Sequence, residues 1–226
     1  MISRLHVVTD DRILGEPAFT SAAGAVLTSG LGRVTFHLRG PRTSGRRLWE
    51  LGMELQSIAR DRDVPIIVND RVDLALALPA SGVQLGVRSL PAPNARRILG
   101  REALIGCSVH NAGEARTVAR GRGQAAGFPD FLLVGALFPT PSHPDRLPAG
   151  VKMIRAIRSI LPKIPLLGIG GVTLARVPEI VEAGAHGIAV IRAVWNAPDP
   201  AEAVRLFLER LVSCGLTESA QDADGE

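Results

Sequence analysis

At 226 residues, 46% of them hydrophobic, the chain is long enough to bury most of its apolar surface in one barrel-sized domain. Its charge of +4 arises from 26 Lys+Arg against 22 Asp+Glu with no long like-charge run, and only 4% of residues are aromatic, none of them tyrosine; a nucleic-acid grip or base-stacking platform is excluded, and anionic small molecules are the better partners. No stretch approaches a membrane span, no signal-peptide pattern precedes Leu5-His6-Val7-Val8, and Cys107 and Cys214 have neither metal-ligand nor disulfide spacing, so a cytoplasmic protein with no membrane partner is expected.

Short apolar runs recur along the chain at Leu5 to Thr9, Val34 to Leu38, Pro65 to Val68, Gly82 to Leu85, Ala103 to Cys107, Phe131 to Val134, Pro165 to Ile169 and Gly187 to Ile191. Between them lie segments with apolar residues three and four apart, such as Leu48, Leu51, Leu55, Ile58 and Ala59, or Val151, Ile154, Ile157, Ile160 and Leu161. Eight strands alternating with helices predict an α/β fold, a single (β/α)8 TIM barrel. An open doubly wound sheet competes, but it usually carries its glycine fingerprint after the first strand, and here the glycines come late. A final amphipathic helix is expected from Pro200 to about Val212. The barrel is expected to span residues 1–214, with a polar, acidic, disordered tail at 215–226.

Two late strand-to-helix turns stand out, Gly168-Ile169-Gly170-Gly171 and the exit of the last run at Val190-Ile191-Arg192. Glycine lets the backbone approach a ligand, and the first N–H groups of a helix lack intrahelical partners, so each turn can cradle an anion. Adjacent turns of this kind after strands seven and eight are the recurrent phosphate site of such barrels.

Chemistry in a barrel sits at the C-terminal strand ends. There the sequence places Thr9-Asp10-Asp11, His37-Leu38-Arg39-Gly40, Asn69-Asp70-Arg71, Gln84 to Ser89 and Ser108-Val109-His110. Several have an alternative structural role. Asp70 could simply cap a helix, Arg39 could pair with a structural carboxylate rather than a substrate anion, and His110 could be hydrogen-bonded scaffolding rather than a proton shuttle. His6 and His186 read as packing or surface residues, Arg88 as a solvated loop charge, and Cys107 as a small buried hydrophobe. The proline-dense Gly135 to Pro148 segment has the length of a lid.

Taken together, Val8-Thr9-Asp10, Leu38-Arg39, Ile67 to Leu76, Gly82-Val83-Gln84-Leu85-Gly86, Ile105 to His110, Phe138-Pro139-Thr140, Gly168-Ile169-Gly170-Gly171 and Ala183 to Ile191 resemble the thiamine-phosphate synthase and TenI family. The pieces fall in order from Leu5 to about Leu211. The resemblance implies a (β/α)8 barrel, often a homodimer, that handles a thiazole phosphate. Synthase members join it to hydroxymethylpyrimidine diphosphate with Mg2+ assistance and release diphosphate. TenI members include thiazole tautomerases and proteins of other roles.

The same resemblance puts Arg39 and Asn69 at diphosphate contacts and Asp70 at a metal-ligand position for a weakly held Mg2+; with His110, whose imidazole can shuttle protons at the mouth, Arg39 and Asp70 are the expected catalytic residues. From the resemblance and their place at the mouth, substrate binding is expected of His37, Asn69, Gln84, Thr140, His143, Gly170, Gly171, Val190, Ile191 and Arg192. Four positions depart from the synthase pattern: Pro41 and His143 replace lysines, Arg88-Ser89 replaces an acidic pair, and His37 replaces a glutamine. These leave an incomplete diphosphate and Mg2+ clamp. The histidine of the tautomerase type is Ala136 here, with His110 and His37 as substitute shuttles. Arg192 stands where the family usually has a small hydroxyl residue, so it either reaches the phosphate or fills its pocket. A synthase, a tautomerase and a non-catalytic thiazole-phosphate binder all remain open at this point.

Overall fold

Consecutive aliphatic and β-branched residues bury both faces of a strand, the condition for a parallel sheet wrapped by helices. In the computed structural model, which describes residues 1–30, 32–78, 80–121, 127–140 and 147–216, these runs form β1 (Leu5–Val8), β2 (Val34–Leu38), β3 (Ile66–Asn69), β4 (Gly82–Leu85), β5 (Leu104–Val109), β6 (Phe131–Val134), β7 (Leu166–Ile169) and β8 (Gly187–Val190). They pair in parallel in sequence order, and β1 pairs β8, so the barrel is closed rather than open. Residues 217–226 of the expected tail and 141–146 of the expected lid fall outside the described residues.

The helices are α1 (Asp11–Leu14), α2 (Phe19–Gly30), α3 (Gly45–Arg60), α4 (Val72–Ala77), α5 (Ala92–Leu99), α6 (Ala112–Arg120), α7 (Lys152–Ile160), α8 (Val177–Glu182), α9 (Arg192–Trp195) and α10 (Pro200–Ser213), with a 3-10 turn at Leu174–Arg176. Short polar side chains start several of them. Asp10, Ser44, Asn111 and Asp199 each accept a backbone N–H of the first turn, which satisfies donors that have no intrahelical partner. No helix among the described residues is long and apolar enough to cross a membrane.

Strand alternation divides the core in two. The larger cluster lies between sheet and helices; Val7, Phe36, Val68, Val83 and Val109 point into it. The smaller cluster fills the barrel with Val8, Ile67, Phe131, Leu133, Leu167 and Ala189. Gly106 makes room inside, where a Cβ would overlap both Gln84 Oε1 and the Phe131 ring. β5 continues to Val109 rather than stopping at Cys107, and Ile105, Cys107 and Val109 pack outward on the large cluster. Burial pushes the Cys107 thiol up to about 11, consistent with an inert packing residue.

At the end of the barrel where strands begin, two arginines gather loop carbonyls. Arg158 of α7 donates to the carbonyls of Pro162 (2.9 Å), Ile164 (2.8 Å) and Gly184 (2.9 Å). Arg96 of α5 donates to the carbonyls of Arg101 and Ala103 and, at 2.7 Å, to Asp130 Oδ2. Asp130 in turn accepts the Ile105 N–H.

Candidate active site

After β7 the backbone enters the left-handed region at Gly170 (φ +94) and Gly171 (φ +65). A Cβ on Gly170 would lie 2.7 Å from Ala136, and one on Gly171 2.6 Å from the Pro139 carbonyl oxygen, so only glycine fits. The carbonyls of both glycines are held: Gly170 O accepts the Phe138 N–H at 3.1 Å, and Gly171 O accepts Arg176 Nη1 at 2.6 Å. The Arg176 guanidinium lies 4.3 Å from the centre of the Phe138 ring. In a trans peptide the N–H points opposite to the C=O. The N–H groups of Gly171 and Val172 are therefore turned away from these partners, and they donate to no acceptor among the described residues.

The β8 exit is built alongside. Val190 packs outward and contributes only backbone, Ile191 packs on both core clusters, and α9 begins at Arg192. Trp195 Nε1 donates to Val8 O at 2.9 Å, which ties α9 to β1. Arg192 makes no hydrogen bond or ion pair with a described residue, and its Nη1 is buried without a partner. A desolvated donor of this kind is costly unless an acceptor arrives, and a phosphate oxygen is a good match for it.

Across the barrel, β2 and β3 present a different set. Thr9 Oγ1 accepts the Arg39 N–H at 2.8 Å, while Asp11 Oδ1 accepts the N–H groups of Arg42 and Thr43; together they shape the loop after β2. The half-buried Arg39 guanidinium has no carboxylate partner among the described residues, so the structural-pair alternative fails.

The capping alternative for Asp70 fails as well. Its backbone is left-handed (φ +65), whereas a capping residue is extended, and α4 starts beyond it with Arg71 at the cap position. Asp70 Oδ1 instead reaches the loop after β4, where it accepts the Gly86 N–H at 3.1 Å and the Ser89 hydroxyl. Ser89, where the resemblance places an acid, thus serves as a donor to Asp70. Arg88 is exposed, as a solvated charge should be.

Near the mouth, polar side chains inside the barrel form short hydrogen-bonded chains. His6 Nδ1 lies 2.7 Å from His37 Nε2, and His37 Nδ1 lies 3.1 Å from Asn69 Oδ1. Both imidazoles are buried and pack against Phe131. Burial drives the His37 pKa down to about 4, opposed by its hydrogen bond to Asn69, and burial together with the two neighbouring imidazoles holds His6 well below its ordinary value. Gln84 Nε2 donates to Ser108 Oγ at 3.2 Å, and its buried Oε1 has no partner.

His110 is tied to its own helix, with Nδ1 3.1 Å from Glu114 Oε2, and the same oxygen accepts the His110 N–H. Those contacts fit the scaffolding reading. Thr140 is half-buried after β6. His143 lies outside the described residues.

The sequence reading gives His6 as packing and places Ser89 and Ser108 at strand exits without partners, whereas the structure pairs His6 with His37, Ser89 with Asp70 and Ser108 with Gln84. The signal for His6 is period-two alternation of polar residues on strands otherwise apolar, as at Thr35 and His37. A metal test is also possible on this donor set. Mg2+ is commonly held by one or two carboxylates plus substrate phosphates. Asp70 provides one carboxylate, and among the described residues no three His, Cys, Asp or Glu side chains gather. This suits an ion that arrives with a diphosphate and does not suit an all-protein cage.

Comparison with known proteins identifies the family. The TMP-TENI family, described as thiamine monophosphate synthase, matches residues 5–194. A thiamine-phosphate synthase of Roseiflexus sp. (strain RS-1) is 41% identical over 218 residues, covering 96% of this chain and 88% of that protein. One from Moorella thermoacetica is 39% identical over 207 residues, covering 91% and 94%. The solved thiamine phosphate pyrophosphorylase of Pyrococcus furiosus superposes with a TM-score of 0.78 at 32% identity, covering 93% of this chain and 96% of that one. With a closed barrel, a glycine turn with free amides after β7 and a match over nearly its whole length, the chain belongs to the thiamine monophosphate synthase family.

Proposed function

We propose that this chain is a thiamine-phosphate synthase, coupling hydroxymethylpyrimidine diphosphate to thiazole phosphate with release of diphosphate. The observation that carries the reading is the likeness to thiamine-phosphate synthases along nearly the whole chain. Two features of the barrel mouth support it. The amides of Gly171 and Val172, with Arg192, can take a monoester phosphate, and Arg39 with Asn69 can take a second anion across the barrel.

In the reaction the pyrimidinylmethyl C–O bond breaks with its electron pair leaving on the diphosphate, and the thiazole nitrogen uses its lone pair to form the new C–N bond. No proton has to move. A histidine shuttle is therefore unnecessary, in keeping with His110 being held by Glu114. Mg2+ carried in on the diphosphate and held by Asp70 would neutralise charge developing on the leaving oxygens. The chain's own residues supply position: the β7 and β8 turns orient the thiazole through its phosphate, and Arg39 offers a fixed cation to the leaving group. Ser89 and the Gly86 N–H hold the Asp70 carboxylate in place.

The test is incubation of purified protein with both substrates and Mg2+, reading thiamine phosphate by fluorescence after oxidation and diphosphate by a coupled assay. Equal amounts of both products are expected. Calorimetric binding of thiazole phosphate with no product from either assay would sink the proposal.

A further inference from the structure

The buried pair of histidines lies one strand inside a residue that the reading above places against the diphosphate, and this inference rests on that reading. His6 and His37 are both fully buried on adjacent strands, His6 aligned with Thr35 and His37 with Val8, and they share one hydrogen bond between ring nitrogens. His37 then bonds Asn69 Oδ1 at the end of β3, while Asn69 Nδ2 has no partner among the described residues. At the far end of the chain His6 Nε2 is buried without a partner.

Such a chain has two proton orders. In one, His37 Nδ1–H donates to Asn69 Oδ1, His6 Nδ1–H donates to His37 Nε2, and His6 Nε2 is left as a bare lone pair. In the other, every bond is reversed: the Asn69 amide is turned over to donate to His37 Nδ1, and His6 Nε2–H is stranded. His6 Nε2 has no partner within hydrogen-bond distance, although the Ser3 backbone lies near the ring; an N–H there would be poorly accepted, and a buried under-satisfied N–H is rarer than an under-used acceptor, which favours the first order. The first order also leaves the Asn69 NH2 free for an anion, whereas the second would offer the anion a carbonyl oxygen.

We propose that His6 and His37 are positioning residues: a relay of two neutral imidazoles whose proton order locks the Asn69 carboxamide with its NH2 toward the anion at the barrel mouth. Burial keeps both rings neutral near pH 7, so each carries one ring proton and the order is defined. Neither ring needs to touch the substrate. By linkage, an anion that prefers the Asn69 NH2 tightens the same proton order in the interior.

The order can be read directly in the full-length protein labelled with 15N-histidine, using two-bond proton–nitrogen correlations at pH 8. His6→Gln and His37→Gln assign the two signals. Protons on Nδ1 of both rings are expected; a proton on His37 Nε2 would overturn the relay.

The second measurement is calorimetry with inorganic diphosphate and Mg2+. His37→Leu should weaken binding by about tenfold, the size of one charge-assisted hydrogen bond, while His37→Gln, whose amide can still donate to Asn69 Oδ1, should stay within about threefold. Affinity for thiazole phosphate should not change in either. Equal diphosphate affinity in His37→Leu and wild type also overturns the proposal, and if that variant does not fold, the tautomer spectrum of the wild type decides. Failed coupling with the expected tautomers sinks the synthase reading alone; opposite tautomers in a chain that couples sink the relay alone.

Discussion

The two sides of the barrel mouth are made of different material. On the β7 and β8 side the proposed binding groups are chiefly backbone amides, with the Arg192 guanidinium beside them, set by positive φ at Gly170 and Gly171 and by carbonyls pinned to Phe138 and Arg176. On the β2 to β4 side they are side chains, Arg39, Asn69 and Asp70, each aimed by a neighbour: Thr9 at the Arg39 backbone, His37 at Asn69, Ser89 at Asp70. A backbone cradle tolerates change in side-chain identity and fails when its conformation is forbidden. A side-chain clamp behaves the other way. Of the departures from the family pattern, Pro41, His37, Arg88 and Ser89 fall on the clamp side and Arg192 on the cradle side, while the glycine turn itself is intact.

Acid should separate the two sides most strongly, because only the clamp rests on titrating groups. With His37 near 4 in the folded chain against 6.5 when unfolded, the unfolded state binds more protons between those values, and stability falls as pH drops from about 6.5 to 4. The expected loss from His37 is about 3 kcal/mol, with His6 adding in the same direction. Urea midpoints measured across that window should flatten in His37→Gln; an unchanged pH slope would refute the assignment.

Breaking the clamp chemically comes next. Asp70→Ala should lower kcat by about a hundredfold, the scale of losing a fixed electrostatic partner of the transition state, with thiazole-phosphate affinity intact. Gly171→Ala should do the reverse. The added Cβ would meet Phe138 at 2.8 Å in a left-handed backbone, and calorimetry should show thiazole-phosphate affinity reduced by about thirtyfold, in line with strain of a few kcal/mol. A Gly171→Ala protein that binds normally would mean that these amides do not hold the phosphate.

Arg192→Ala is the smallest step. It removes one charge-assisted donor from the cradle and should weaken thiazole-phosphate binding by about tenfold. Equal or tighter binding would show that Arg192 fills the pocket rather than serving it.

Much of this layout is legible from residues alone, for reasons that differ by region. The strands at Val34–Leu38, Gly82–Leu85 and Phe131–Val134 coincide with their apolar runs because both faces of a barrel strand are buried. The glycine turn is equally plain, since positive φ leaves few other residue types. Less legible is anything that depends on register between strands. His6 reads as packing until β1 and β2 align Val8 with His37, which sets the two imidazoles side by side. Asp70 reads as a cap because its neighbours begin a helix, yet its carboxylate turns to Gly86 and Ser89, sixteen and nineteen positions along the chain. No local pattern encodes that crossing.

Arg158 and Arg96 carry a final consequence. By drawing together the loops that feed β5 through β8, these two guanidiniums rivet the closed end of the barrel, far from the rim where anions would dock. Anchorage and reactivity are thereby segregated to opposite poles. The rim, where the anions are proposed to dock, can vary its side chains while the staves stay seated.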